Sequence, residues 1–269
     1  MTQAERLTFL IEYLMSENKE LKSFHGMPLF HIPVEENAKK RLLRSLMNIR
    51  PPKPVTKDFL NIQDEYLQGE KTEKGIISLA DIPFVKSGIY LWQGNITRLS
   101  VDTIVNAANS AMLGCFVPCH GCIDNAIHSA AGIELRLECS RIMEEEHSME
   151  KQKIEEPTGK AKITKAYNLP CRYVLHTVGP IIYGEVTQKD CNLLSDCYRS
   201  CLELAAEYQL KSIAFCCIST GEFHFPNEEA AKIAIQTVKD YQKKNPSDME
   251  VIFNVFKDCD YKIYKQLLG

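Results

Sequence analysis

The chain of 269 residues has a single tryptophan and a net charge of only −3. It contains no dense cluster of lysine or arginine and no apolar run long enough to cross a bilayer, which requires about 20 predominantly apolar residues. The absent basic cluster removes the electrostatic footprint of a nucleic-acid binder, so any nucleotide has to be held locally by dipoles and shape. The apolar residues near the N-terminus are interrupted by Glu5, Arg6 and Glu12, so neither a signal peptide nor a membrane anchor is expected. Without a secretory signal, the odd number of cysteines, eleven, points to reduced thiols and metal ligands in a cytoplasm, not to a disulfide framework.

An apolar fraction of 45% and a charged fraction of 25% are those of an ordinary globular protein, and the length allows one domain, or one domain with an appendage. In the first part, Leu7, Leu10, Ile11 and Leu14 fall on one face of a helix expected over Ala4–Leu21, and a second helix is expected over Glu35–Ile49. Pro28, Pro33 and the run Arg50-Pro51-Pro52-Lys53-Pro54 force extended chain between and after them. Beyond Leu79 strands alternate with helices. This divides the chain into a helical N-terminal extension, 1–79, and an α/β module, 80–269. Short apolar helix faces usually join a core, so the extension is expected to add stability; the alternative is that it also walls the site or recognises a protein substrate.

The module is organised around Val101–Gly132. An apolar, β-branched segment breaks into Asn106-Ala-Ala-Asn109-Ser, a loop follows, and Ile123–Ala131 reads as a helix stopped by Gly132. Strand, loop and helix N-terminus form an anion site, because the first helical N–H groups lack partners and carry the positive end of the dipole. Within the loop Cys115, Cys119, His120 and Cys122 are candidate zinc ligands. Adjacent Cys119 and His120 have difficulty facing one ion, so Cys115, His120 and Cys122 are the expected set. Three protein ligands leave the open position of a catalytic zinc. A closed four-ligand staple, or simply reduced thiols, are the alternatives.

Asn106 and Asn109 have the acceptor and donor groups that suit sugar hydroxyls, though Asn106 can equally tie down its own loop. Asp124 stands where a carboxylate serves as a helix cap or as an acid–base group. His128 is expected to pack, and His176, inside the apolar strand Tyr173–Val178, to be a satisfied interior side chain. Strands are also expected at Ile89–Trp92, Gly94–Thr97, Thr103–Val105, Ser212–Ser219 and Val251–Phe256. Cys197 and Cys201 lie at core spacing in a helix over Cys191–Tyr208. Ser219-Thr220-Gly221-Glu222-Phe223 before a helix at Asn227–Tyr241 is a second strand–loop–helix anion site. Phe256, at the end of the last strand, can stack on a base or pack under a terminal helix, Asp260–Leu268.

The segments VNAANSAMLGC, CIDNAIHSAAG, AYNLPCRYVLHTVGP and ISTGEFHFP, in that order, resemble a macrodomain, the module that recognises ADP-ribose. The insertion GCFVPCHGCIDN resembles one subgroup, the zinc-containing macrodomain ADP-ribosyl hydrolases of microbes, often linked to sirtuin-type ADP-ribosyltransferases. The resemblance implies a three-layer α/β/α macrodomain with a mixed central sheet after the helical extension, and one zinc per chain. It implies that Asn95, where the family usually has Asp, and Ile96 meet the adenine. Asn109 then holds the distal ribose, Asp124 acts beside the scissile bond, backbone amides of 219–223 hold the diphosphate, and Phe225 lies against the distal ribose. Glu222 departs from a phosphate loop and is expected to point outward; His224 replaces a small residue. The expected activity is removal of mono-ADP-ribose from Asp or Glu side chains of a modified protein. The alternatives are a binding module without catalysis, with zinc shaping the loop only, and a hydrolase of free ADP-ribose esters or phosphates.

Overall fold

The computed structural model describes residues 1–17, 31–146 and 155–269; the last residues of the first expected helix, 18–21, and Pro28 lie outside them. The extension begins with α1 (Gln3–Glu17), which buries the expected stripe of Leu7, Leu10, Ile11 and Leu14. The next helix, α2 (Glu36–Ile49), starts where Glu35 accepts hydrogen bonds from the N–H groups of Asn37 and Ala38. A third helix, α3 (Lys57–Lys74), was not expected in the stretch after the prolines. Thr56 caps it, and Gly75, at φ 76°, ends it. Its inward stripe is Phe59, Gln63, Tyr66 and Glu70, so two polar residues mask the helical period. The three helices share an apolar cluster to which Ile133 of the module contributes.

The module runs β1 (Ile77–Ser78), β2 (Phe84–Lys86), β3 (Ile89–Gln93), β4 (Leu99–Ser100), β5 (Thr103–Ala107), α4 (Ile123–Ala131), α5 (Ile133–Glu146), β6 (Ala161–Lys165), β7 (Tyr173–Thr177), α6 (Gln188–Glu207), β8 (Ser212–Phe215), α7 (Asn227–Lys244), β9 (Glu250–Val255) and α8 (Asp258–Leu268). The main sheet has seven strands in the order β2-β3-β9-β8-β5-β7-β6. Its five inner strands are parallel, and both edge strands are antiparallel to their neighbours, which makes the sheet mixed. Buried strands such as Ser212–Phe215 need helices over both faces, and the flanking helices supply them. Gly94–Thr97 is not a strand. Asn95 caps a short 3-10 turn, Ile96–Arg98, because its Oδ1 accepts hydrogen bonds from the Thr97 N–H at 3.1 Å and from the Thr97 hydroxyl at 2.8 Å.

Candidate active site

The parallel pairing of β5 with β7 sets Asn106 opposite His176, 70 residues away. Asn106 is fully buried, and its Nδ2 lies 3.1 Å from His176 Nδ1 and donates to Asp124 Oδ1 at 2.8 Å. It therefore neither ties down its own loop nor offers its amide to solvent; it anchors Asp124. His176 is satisfied on its other side, with Nε2 2.9 Å from the Thr164 hydroxyl, and burial drives its pKa down to about 3. Asn109 Nδ2 donates to Asp124 Oδ2 at 3.2 Å and to the Gly114 carbonyl at 3.1 Å, which leaves its own Oδ1 buried without a partner among the described residues. Asp124 thus accepts from two side-chain amides. Capping belongs instead to Cys122, whose Sγ accepts from the Asn125 N–H. Burial raises the Asp124 pKa to about 6, against the opposing pull of Asn106, Arg136 and Asn109. His128 packs as expected, with its ring nitrogens buried and Nε2 3.5 Å from Asp124 Oδ1, and burial holds it neutral.

The loop from Gly114 to Cys122 brings the three expected ligands together. The ligand atoms of Cys115, His120 and Cys122 all lie within 4.8 Å of one another, and Cys115 Sγ is 3.6 Å from His120 Nδ1. Zinc–sulfur and zinc–nitrogen bonds at a tetrahedral angle separate such a pair by about 3.6 Å, so the donor set fits zinc in chemistry and in spacing. Cys119 lies outside the trio. Its backbone is left-handed, at φ 51°, and its Sγ faces α2, 3.2 Å from the Ser45 hydroxyl and 3.3 Å from the Arg41 carbonyl. Burial pushes the Cys122 thiol up to about 12, against the pull of the Asn125 N–H. A bound cation reverses that preference, because a thiol coordinates as thiolate. A second trio, His128, Cys139 and His176, is fully buried, but both His176 nitrogens already have partners.

The second crossing relies on backbone. Ser219 and His224 are left-handed, at φ 64° and 57°, and the turn closes through Phe225 N–H to the Ser219 carbonyl at 2.9 Å and His224 N–H to the Gly221 carbonyl at 3.1 Å. Within it the N–H groups of Gly221, Glu222 and Phe223 have no partner among the described residues, which makes a nest for an anion. The Thr220 hydroxyl donates to the Cys217 carbonyl, while Ser219 Oγ is buried without a partner among the described residues. Glu222 points outward as expected, yet its Oε1 reaches to 3.5 Å from His120 Nε2 and links this loop to the other.

Three expectations need correction. Phe225 lies in the main core and cannot face a ribose; Phe223 is the aromatic residue beside Ala108, Met112 and Val178. The left-handed His224 between them reverses the alternation and sends the two rings apart. Ile96 is buried in the core, so only its backbone can meet a ligand. Both lone pairs of Asn95 Oδ1 are taken by Thr97, which leaves the donor Nδ2 where an adenine amino group needs an acceptor. Phe256 is 75% exposed at the end of β9, open for stacking.

Arg136 was missed. It is buried, donates to the carbonyls of Leu113 and Cys115, and also donates to those of Met47, Asn48 and Arg50 at the end of α2. The available signal was an arginine on the same helical stripe as Ile133, Cys139 and Met143. Asn125, also missed, donates to the Val117 carbonyl at 2.9 Å.

A mixed α/β sheet carries two loops that open onto helix-end or turn amides, one of them beside a buried carboxylate, and this defines an α/β protein of the anion-cradling kind. The Macro domain family matches residues 105–234. A protein-ADP-ribose hydrolase of Treponema medium is 56% identical over the full length of both chains. A probable bifunctional ADP-ribose hydrolase/ADP-ribosyltransferase of Fusarium oxysporum f. sp. cubense is 41% identical, covering 88% of this chain and 42% of that one. The Trypanosoma brucei macrodomain in complex with ADP-ribose superposes with a TM-score of 0.64 at 30% identity, covering 84% of this chain and 95% of that one. The chain belongs to the macrodomain family.

Proposed function

We propose that this macrodomain is a zinc-dependent hydrolase that removes mono-ADP-ribose from Asp and Glu side chains of modified proteins. The observation that carries this reading is the meeting, at the N-terminus of α4, of the buried Asp124 carboxylate with the Cys115, His120 and Cys122 donor set. Hydrolase relatives such as the Treponema protein support the activity.

Diphosphate binds the free amides of Gly221, Glu222 and Phe223, and Phe256 stacks on adenine. The unpartnered Asn109 Oδ1 accepts from a distal ribose hydroxyl and orients the sugar beside Asp124. Asp124, fixed by the Asn106 and Asn109 amides, orients the attacking water and takes its proton. Water adds, the bond between ADP-ribose and the acceptor carboxyl group breaks, and the products are free ADP-ribose and the restored Asp or Glu side chain. Cys115, His120 and Cys122 would hold the zinc, which when bound would supply Lewis-acid stabilisation of negative charge on oxygen.

The Fusarium relative, named a probable bifunctional ADP-ribose hydrolase/ADP-ribosyltransferase, supports a functional link between this hydrolase and an ADP-ribosyltransferase, which we propose is of the sirtuin type. No helix among the described residues is long and apolar enough to cross a membrane, and we place the enzyme in the cytoplasm, where its thiols stay reduced.

The test is release of ADP-ribose from aspartyl- and glutamyl-modified protein, with and without a zinc chelator. Release that stops on chelation and returns with added zinc supports the reading; release that continues in a metal-free sample contradicts it.

A further inference from the structure

We infer that the N-terminal extension is part of the active site: Arg44 and Asn48 of α2 hold the metal loop in the shape that brings its ligands together. This deepens the zinc reading above and rests on it. The loop itself has little internal structure. Its tip residues Phe116 and Val117 are exposed, and its own backbone closes through one hydrogen bond, His120 N–H to the Val117 carbonyl at 3.2 Å.

The fixing bonds come from outside. Arg44 Nη2 donates to the His120 carbonyl at 3.1 Å, and the Arg44 Nε and Nη2 together grip Asn125 Oδ1 at 3.0 and 2.6 Å. Asn125 passes that hold on, because its backbone N–H reaches Cys122 Sγ at 3.4 Å and its side chain holds the Val117 carbonyl. Asn48 Oδ1 accepts from the Cys119 N–H at 2.9 Å, and Asn48 Nδ2 donates to the Ser129 hydroxyl on α4.

The Cys119 contact explains how the ligand set is chosen. A left-handed cysteine is strained and persists only where its surroundings over-determine it. Here Asn48 holds its N–H while Ser45 and Arg41 hold its sulfur, so Cys119 is turned into α2. Its neighbour His120 is thereby turned the other way, toward Cys115. These polar bonds are separate from the apolar cluster that packs α1, α2 and α3 together, so helix packing does not require them. On the α2 side the residues that supply them, Arg41, Arg44, Ser45 and Asn48, lie outside residues 105–234, which the Macro domain family matches.

Four chains decide the matter: wild type, Arg44→Ala, Arg44→Lys and Asn48→Ala, with Zn²⁺ and Co²⁺ as probes. Arg44→Ala is expected to weaken zinc binding by about tenfold or more, to change the visible spectrum of the cobalt-loaded protein, and to speed amide exchange across 115–122 in metal-free protein. ADP-ribose affinity should stay within about twofold. Arg44→Lys should recover only part of the loss, because one ammonium can hold the His120 carbonyl but cannot fork onto Asn125 as well. Asn48→Ala should speed the same loop amides.

Zinc affinity, cobalt spectrum and loop exchange all unchanged in Arg44→Ala would overturn the inference, as would a lowered melting temperature with those three unchanged. A wild-type protein that takes no zinc would overturn the metal reading separately. The exchange comparison, made without metal, then supports the brace if the loop accelerates and overturns it if the loop does not.

Discussion

The two strand–loop–helix crossings solve the same problem by different means. The loop after β8 is built for backbone chemistry: two left-handed residues expose a run of N–H groups, and the turn is closed by its own hydrogen bonds. The loop after β5 is built for side-chain chemistry, with a carboxylate, two thiols and an imidazole to place, and its own bonds are too few. It borrows rigidity from α2 through Arg44 and Asn48, and from α5 through Arg136. An anion cradle needs only local turn geometry, whereas a cluster of reactive side chains needs struts from distant parts of the chain. The contact between Glu222 and His120 is where the two loops meet.

The sharpest way to separate the loops is to disable one chemistry and leave the other. Asp124→Ala should keep zinc and fold and, since the amide nest is untouched, most of the ADP-ribose affinity despite the loss of the Asn109 anchor, but lower single-turnover release by at least about 100-fold. Full activity in that variant would leave Asp124 with a structural role only.

A smaller effect distinguishes the glycines of the two loops. A Cβ on Gly114, at φ 76°, would meet the His128 ring at 2.8 Å, so Gly114→Ala should destabilise the protein by about 2 kcal/mol in denaturant melts. Gly221 has open space around it, and Gly221→Ala should stay within about 0.5 kcal/mol of wild type. Equal losses would mean that the first loop is no more tightly packed than the second.

The smallest effect is expected at Asn95. In Asn95→Asp one oxygen keeps the bonds to Thr97 and the other replaces the Nδ2 donor with an acceptor for the adenine amino group. Calorimetric titration should show ADP-ribose binding tighter by about 1 kcal/mol. Unchanged binding would place the base away from this turn.

Much of this was legible in the sequence because it depends on local pattern. Apolar β-branched runs marked the inner strands, Gly132 marked the end of α4, and the spacing of Cys115, His120 and Cys122 named the trio that the fold gathers. What stayed hidden depends on register and on long-range contact. Asn106 meets His176 only because β5 pairs with β7 at that register, and nothing in either segment alone announces it. Arg44 and Asn125 are 81 residues apart, and each looks like an ordinary polar helix residue until the extension docks. The α3 helix was masked by Gln63 and Glu70 in its inward stripe, where Gln63 is used to accept from the Ile133 N–H and Glu70 to pair with Lys40. Phe225 and Phe223 exchanged places because a left-handed His224 cannot be read from residue type.

The central claim, that the loop after β5 performs metal-dependent chemistry while the loop after β8 binds, is tested most directly by single-turnover release of ADP-ribose from aspartyl- and glutamyl-modified protein. Wild type, Cys119→Ser and Cys122→Ser are compared, with zinc content and ADP-ribose affinity measured on the same samples. The expected result is one zinc per chain and near-normal release in wild type and in Cys119→Ser, whose sulfur faces α2. Cys122→Ser should lose the zinc and the release yet remain folded and bind ADP-ribose. Wild-type release by a zinc-free Cys122→Ser protein would contradict the account.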